Sequence, residues 1–231
     1  MTSTDETKRH DGRAGNELRP FACEQGAHFR ADGSARMSHG SSTVLVAVYG
    51  PGQAKSRRNE QIDRVTIDVC FKLEKGVLTS KEKEYEQIIR ETFEPIIIGD
   101  DYPRAVISIV VQVLEDDGSL LSVAINATSL ALMDAGVPMR GVVTSSTCAL
   151  LPDGSFFLDP SHVEEEQATS SVTTATSNVD AGVLTSVTGG LLTEEQYFAC
   201  AEACQRASES VTAFVRIVHQ KKYPVNAEAS S

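Results

Sequence analysis

Asp117-Gly118-Ser119-Leu120-Leu121-Ser122-Val123-Ala124-Ile125-Asn126-Ala127 is a polar turn that runs directly into small and apolar residues. From about Ser119 to Asp134 the apolar residues fall on nearly every side of a helical wheel. A helix of that kind offers no face to water and is expected to be buried. Gly136 and Pro138 stop it, the glycine by accepting a left-handed backbone and the proline by ending the amide ladder.

Working outward, the flanks read as strands and amphipathic helices. Val44 to Tyr49 is a nearly continuous apolar run, and Ile62 to Leu73 alternates with Val65, Ile67, Val69 and Phe71 on one face. Val106 to Leu114 is β-branched and apolar, the pattern of a central strand covered on both sides. Thr79 and Glu82 form a capping-box pattern ahead of Tyr85, Ile88, Ile89, Phe93, Ile96 and Ile97, with Pro95 bending or ending that helix. Further strands are expected over Val142–Leu150, Ser155–Leu158, Ser171–Ala175 and Val183–Thr188, with a turn over Asn178–Gly182. A last helix starts at Thr193, with Gln196 completing a capping box and Lys221 and Lys222 complementing the dipole at its end. Strands, helices, strands and a helix in that order predict an α+β domain of mixed β-sheets with packed α-helices.

Composition narrows the function. The 231 residues suffice for one sizeable core, and 41% of them are hydrophobic. No apolar run approaches the ~20 residues that span a bilayer, so no membrane partner is expected. The polar start from Met1 to Arg13 has the character of neither a secretory signal nor a targeting helix. Residues 1–17 are expected to be a disordered tail, 18–223 the domain, and 224–231 a C-terminal tail. The net charge of −11 argues against a free-standing nucleic-acid-binding module, because such a chain repels a polyanion at long range. Lys55, Arg57 and Arg58 form a local basic patch, either a solvated loop or a contact for RNA. Five cysteines (23, 70, 148, 200, 204) lack zinc spacing and are expected to be reduced thiols. Asn126-Ala127-Thr128 matches a glycosylation pattern but falls inside the helix expected to be buried.

A resemblance adds to this reading. Leu18-Arg19-Pro20, Asp32-Gly33-Ser34-Ala35, Thr43 to Pro51, Asp117 to Leu121, Ala131 to Met139 and Leu158-Asp159-Pro160 occur in that order. Together they resemble RNase PH-like proteins, and in particular the RNase PH-like ring subunits of the eukaryotic RNA exosome. The resemblance implies an RNase PH-like fold (the ribosomal protein S5 domain 2-like type) in two related β-α halves. It also implies partners: other RNase PH-like subunits in a six-membered ring, S1/KH cap subunits above it, and RNA threaded through the channel. A nuclear, nucleolar and cytoplasmic location follows from the same likeness.

The departures from the family pattern concern chemistry. Active relatives carry a Gly-Thr-Arg turn whose arginine holds phosphate, whereas this chain has Gly118-Ser119-Leu120. Leucine offers an anion neither charge nor hydrogen bonds. The family's two aspartates fall on Asp159 and Glu165, within an acidic run completed by Glu164 and Glu166. That run is either a solvated relic or a place for a divalent cation and a general acid. Two family arginines fall near Lys81 and Gln87, among Glu82, Glu84 and Glu86. His162 lies beside the acidic run.

The expected function is therefore a non-catalytic structural subunit, without a cofactor, that supports 3′-to-5′ processing and decay of rRNA, snRNA and mRNA. The alternative is a self-associating nuclease that hydrolyses RNA or DNA with Mg²⁺ or Mn²⁺ on Asp159 and Glu165, aided by Lys81. A phosphate-dependent enzyme of bacterial type is disfavoured by Leu120. Under the nuclease reading Asp159 is expected at a pocket rim, where Asp159→Asn would hardly change folding.

Overall fold

A computed structural model describes residues 9, 11–53, 64–74, 80–100, 102–179 and 182–223. The expected α+β architecture is present. The first sheet contains β1 (Phe21–Gln25), β2 (Gly33–His39), β3 (Ser42–Gln53), β4 (Thr66–Lys72) and β5 (Ala105–Glu115), in the order β1-β2-β3-β5-β4. Its ladders are antiparallel except the parallel pair of β4 with β5. The helix α1 (Ser80–Phe93) supplies the crossover between those two strands. It ends two residues before Pro95, and Thr79 lies outside the described residues.

After the helix α2 (Leu120–Asp134) come the strands β6 (Val143–Leu150) and β7 (Phe156–Leu158) and the short helix α3 (His162–Gln167). The strands β8 (Ser170–Ser177) and β9 (Val183–Gly190) then lead to the long helix α4 (Glu194–Lys222). The second sheet has the order β7-β6-β8-β9, antiparallel throughout. Strands β1 and β2 and the helix α3 lay outside the sequence-based reading. β2 (Gly-Ser-Ala-Arg-Met-Ser-His) is small and polar, yet pairing on both edges and burial of Ala35 and Met37 hold it in the sheet.

α2 packs against β2 and β3 on one side and β6 and β8 on the other, so it is buried between the two sheets. Its small residues permit that approach. A Cβ on Gly33 of β2 would stand 2.2 Å from the Ala135 amide nitrogen, so only glycine fits where β2 meets the end of α2. Asn126 is fully buried and fastens α2 to β6: its Nδ2 donates to the Ser145 carbonyl at 2.9 Å, and its Oδ1 accepts the Ser145 amide at 2.7 Å. A glycan could not reach that side chain. α4 covers the outer face of β6 and β8, and its first turn carries the expected box between Thr193 and Gln196.

The described residues of the 1–17 segment are held against the domain. Of residues 1–17, Arg9 and 11–17 are described, and Arg9 is buried against β7 and α3. Apart from the Glu17 carbonyl, to which it donates at 3.2 Å, Arg9 has partners about 150 residues away in sequence that no local pattern announces. Among the described residues no helix is long and apolar enough to cross a membrane. All five cysteines are free thiols, with Cys148, Cys200 and Cys204 buried.

Candidate functional site

The turn Asp117–Ser119 and the segment Asp159–Glu165 meet at one end of α2. Gly118 has φ +82°, and a Cβ there would lie 2.6 Å from the Pro160 carbonyl oxygen. Glycine is therefore required twice over, for conformation and for space. Ser119 follows in the left-handed region (φ 54°), donates its hydroxyl to the Pro160 carbonyl at 3.0 Å, and leaves its amide to another acceptor. Leu120 begins the helix and turns into the core. The position that holds an arginine in phosphate-binding relatives is thus part of the packed interior.

Asp159 follows β7 with φ 49°, itself in the left-handed region, and its amide donates to the Thr147 carbonyl at 2.8 Å. The residue is 2% exposed, and its side chain is closed by Arg19. Arg19 Nε donates to Oδ2 at 2.9 Å, Nη2 to Oδ1 at 2.7 Å, and the Arg19 amide to Oδ2 at 3.0 Å. This is the two-pronged geometry in which arginine and a carboxylate pair most strongly. The same guanidinium donates to the Asp117 carbonyl at 2.8 Å and the Gly118 carbonyl at 3.2 Å. Arg19 therefore rivets the carboxylate to the turn ahead of α2. Burial by itself would raise the Asp159 carboxyl, but the Arg19 hydrogen bonds and charge outweigh it and hold the group down at about 2. His39 of β2 sits with Nδ1 4.0 Å from Asp159 Oδ1, and burial pushes its imidazole down to about 4.

Glu164 is closed in a similar way by Arg9, with Nε to Oε1 at 2.8 Å and Nη2 to Oε2 at 2.6 Å. It also completes a capping box by accepting the Ser161 amide at 2.9 Å. Arg9 donates to the carbonyls of Leu158 at 2.8 Å and Asp159 at 3.0 Å, and its guanidinium lies 4.9 Å from the Phe157 ring centroid. The expected solvated edge is thus not solvated at Asp159 and Glu164. Glu166 alone fits that description, exposed and 3.5 Å from His162 Nε2.

Glu165 is different again. Its Oε1 accepts the Ser119 amide at 2.7 Å, so the chain's own carboxylate occupies the anion position at the start of α2. No guanidinium touches it among the described residues. Burial raises its carboxyl and the nearby Asp116 adds to the rise, against the Ser119 hydrogen bond.

The residues named from sequence are only partly brought together. Glu165 bonds the Asp117–Ser119 turn directly and Asp159 is tied to it only through Arg19, so each is committed to a separate partner. Lys81 is exposed on α1, with no ion pair to either carboxylate among the described residues. Gln87 is exposed and donates to Glu91 at 2.8 Å. Arg57 and Arg58 lie outside the described residues. A divalent cation on Asp159 and Glu165 does not fit these positions, because both Asp159 oxygens are already used by Arg19. Among the described residues no cluster of three or more His, Cys, Asp or Glu side chains is arranged around a cation position. The rim position expected for Asp159 is corrected to a buried ion pair. No local sequence signal points to Arg9 or His39, and Arg19 stands out only as part of the Leu18-Arg19-Pro20 motif.

Comparisons with known proteins give the family. The model of domain 1 of the 3′ exoribonuclease family matches residues 17–138, and that of domain 2 matches residues 141–207. The exosome complex exonuclease RRP46 homolog of Arabidopsis thaliana is 37% identical over 228 residues, covering 91% of this chain and 95% of that protein. Its counterpart in Oryza sativa is also 37% identical, over 95% of this chain and 98% of its own length. The crystal structure of rice Rrp46 superposes with a TM-score of 0.84 at 38% identity, over 90% of this chain and 98% of that one. An Archaeoglobus fulgidus exosome chain, solved with RNA bound to the active site, shares the fold at a TM-score of 0.78 and 21% identity. With both family domains matched in order and relatives covered almost end to end, this chain belongs to the 3′ exoribonuclease (RNase PH) family.

Proposed function

We propose that this chain is a structural, non-catalytic ring subunit of an RNA exosome, contributing to 3′-to-5′ RNA processing and decay without performing the cleavage. The observation that carries the reading is the Arg19–Asp159 pair. A carboxylate with both oxygens committed to one guanidinium is unavailable as a metal ligand or a proton donor. The phosphate side supports it independently: Leu120 is in the core, and Glu165 fills the anion position at the Ser119 amide. The likeness to RRP46 homologs along nearly the whole chain supports the assembly. Its partners are then other RNase PH-like subunits and S1/KH cap subunits, with RNA passing through the shared channel. The places of action are the nucleus, nucleolus and cytoplasm, and no cofactor is required.

The experiment is a native mass measurement of the tagged chain from its own cells, paired with a phosphorolysis assay on the isolated chain. The expected result is a multi-subunit assembly containing several RNase PH-like chains, and no release of nucleoside diphosphates as phosphate is raised. A monomer or homodimer as the sole species in cells, or phosphate-dependent release, overturns the reading. The metal-dependent nuclease reading finds no matching geometry, since its two carboxylates serve separate partners.

A further inference from the structure

The loop between β1 and β2 presents an aromatic side chain that the fold leaves outside. Phe29 is 88% exposed. Its ring lies parallel to that of His28, 10° between planes and 6.1 Å between centroids, and the Arg30 guanidinium is 5.6 Å from the Phe29 centroid. The exposure does not come from a loose loop. The Gly26 amide donates to the Ser34 carbonyl at 2.8 Å, the Ala31 amide to the His28 carbonyl at 3.2 Å, and the Asp32 amide to the Val48 carbonyl at 3.0 Å. The His28 amide donates to Ser34 Oγ at 2.8 Å, and the Ser34 amide to Asp134 Oδ2 at 3.0 Å. Phe29 is thus held out from a pinned base.

Cationic side chains stand close to the loop although the chain as a whole carries −11. The end of α4 reaches this loop: Lys222 pairs with Asp134 and lies beside Gly26. Lys221 is exposed next to it, and the His219 and Tyr223 rings stand 5.0 Å apart. Two of the local acids are already occupied. Asp134 is shared by Lys222 and Tyr223 and also accepts the Ser34 amide, and Asp32 accepts the Gly50 amide.

We infer that the His28-Phe29-Arg30 loop, flanked by Lys221 and Lys222, is a base-stacking platform for single-stranded RNA. A protein-binding hot spot carries its aromatic anchor within an apolar patch that excludes water. Here Phe29 has the Arg30 guanidinium against its ring, and Lys222 stands beside Gly26 at the base of the same loop. That is the combination by which single strands are held without sequence readout. The inference rests on the ring-subunit reading for its biological setting but not for its test.

The test uses the isolated full chain and a short fluorescein-labelled oligouridylate, with affinity read by anisotropy. Phe29→Ala is expected to weaken binding about 5- to 100-fold, the loss of one stacked base, and Phe29→Trp to retain it. Arg30→Gln and Lys221→Gln are expected to lower the salt dependence by roughly 0.7 each in the log–log slope. Thermal unfolding should not move with Phe29→Ala, since the ring packs on little. Photo-crosslinks from iodouridine should map to residues 28–30. Wild-type affinity in Phe29→Ala, crosslinks confined elsewhere, or no binding by the wild-type chain at low salt would each overturn the inference. So would a Phe29→Ala chain that binds RNA normally but no longer joins its assembly, because the loop would then be a protein contact. The native mass measurement decides the ring reading separately.

Discussion

Asp159 and Glu165 stand six positions apart, on either side of one turn, and the fold treats them oppositely. Asp159 faces a guanidinium and is held down at about 2. Glu165 faces one backbone amide and a neighbouring carboxylate, and its carboxyl is raised. Both are withdrawn from water, so burial alone does not separate them. The lesson is that a carboxylate in family register keeps its chemistry only if nothing in the chain answers its charge. In this chain Arg19 answers the first and the Ser119 amide answers the second.

The largest effect should come from removing the cation. Arg19→Ala leaves Asp159 charged, buried and unpaired, and frees the Asp117 and Gly118 carbonyls. It is expected to destabilise the chain by ~3–5 kcal/mol, measured by urea unfolding. An Arg19→Ala chain as stable as the parent would break the contrast between the two carboxylates.

Leu120→Arg sharpens the comparison from the phosphate side. The side chain enters the core rather than the turn, so the substitution is expected to cost ~2–4 kcal/mol and to restore no phosphate-dependent cleavage. Recovery of phosphorolysis in this variant would show that Glu165 does not block the anion position.

The pH dependence separates the pair. Asp159 has a folded value below its unfolded value of 3.8. Its contribution is therefore complete above about pH 4 and is lost as pH falls toward about 2. Asp159→Asn should flatten that acid limb and lower stability near neutrality by ~1–3 kcal/mol, because the amide keeps one acceptor and loses the charge. Unchanged acid unfolding would mean that the ion pair is not formed in solution.

Glu165 should give the smallest change and the opposite sign of pH dependence. Its folded value lies above the unfolded one, so its contribution weakens as pH rises through the interval between them. Glu165→Gln can still accept the Ser119 amide and carries no charge near Asp116. It is expected to leave stability at pH 7 unchanged or raised, within ~1 kcal/mol, as read by thermal unfolding. A loss larger than that would mean the charge itself caps α2.

Much of the fold was legible. The apolar character of Leu120 to Leu132 announced a buried helix, the alternation of Val65, Ile67, Val69 and Phe71 a half-covered strand, and Thr193 with Gln196 the start of α4. Strands β1 and β2 escaped because Phe21–Gln25 is short and Gly33–His39 is small and polar; their pairing supplies what side-chain pattern does not. The site was legible only in outline. Leu120 was recognised as the wrong residue for an anion, and Asp159 and Glu165 as the right residues in nearly the right place. What they face was not visible.

By itself the sequence determined the α+β class and the buried central helix, and its family resemblance marked Leu120 as standing where active relatives carry a phosphate-binding arginine. The first two are local properties of composition and period, and the third rests on the resemblance. Only the tertiary structure decided that Asp159 and Glu164 are closed by Arg19 and Arg9, 140 and 155 residues away, and that Glu165 occupies the anion position of α2. A carboxylate's protonation and availability depend on what stands within a few ångströms of it, and chain separation carries no record of that.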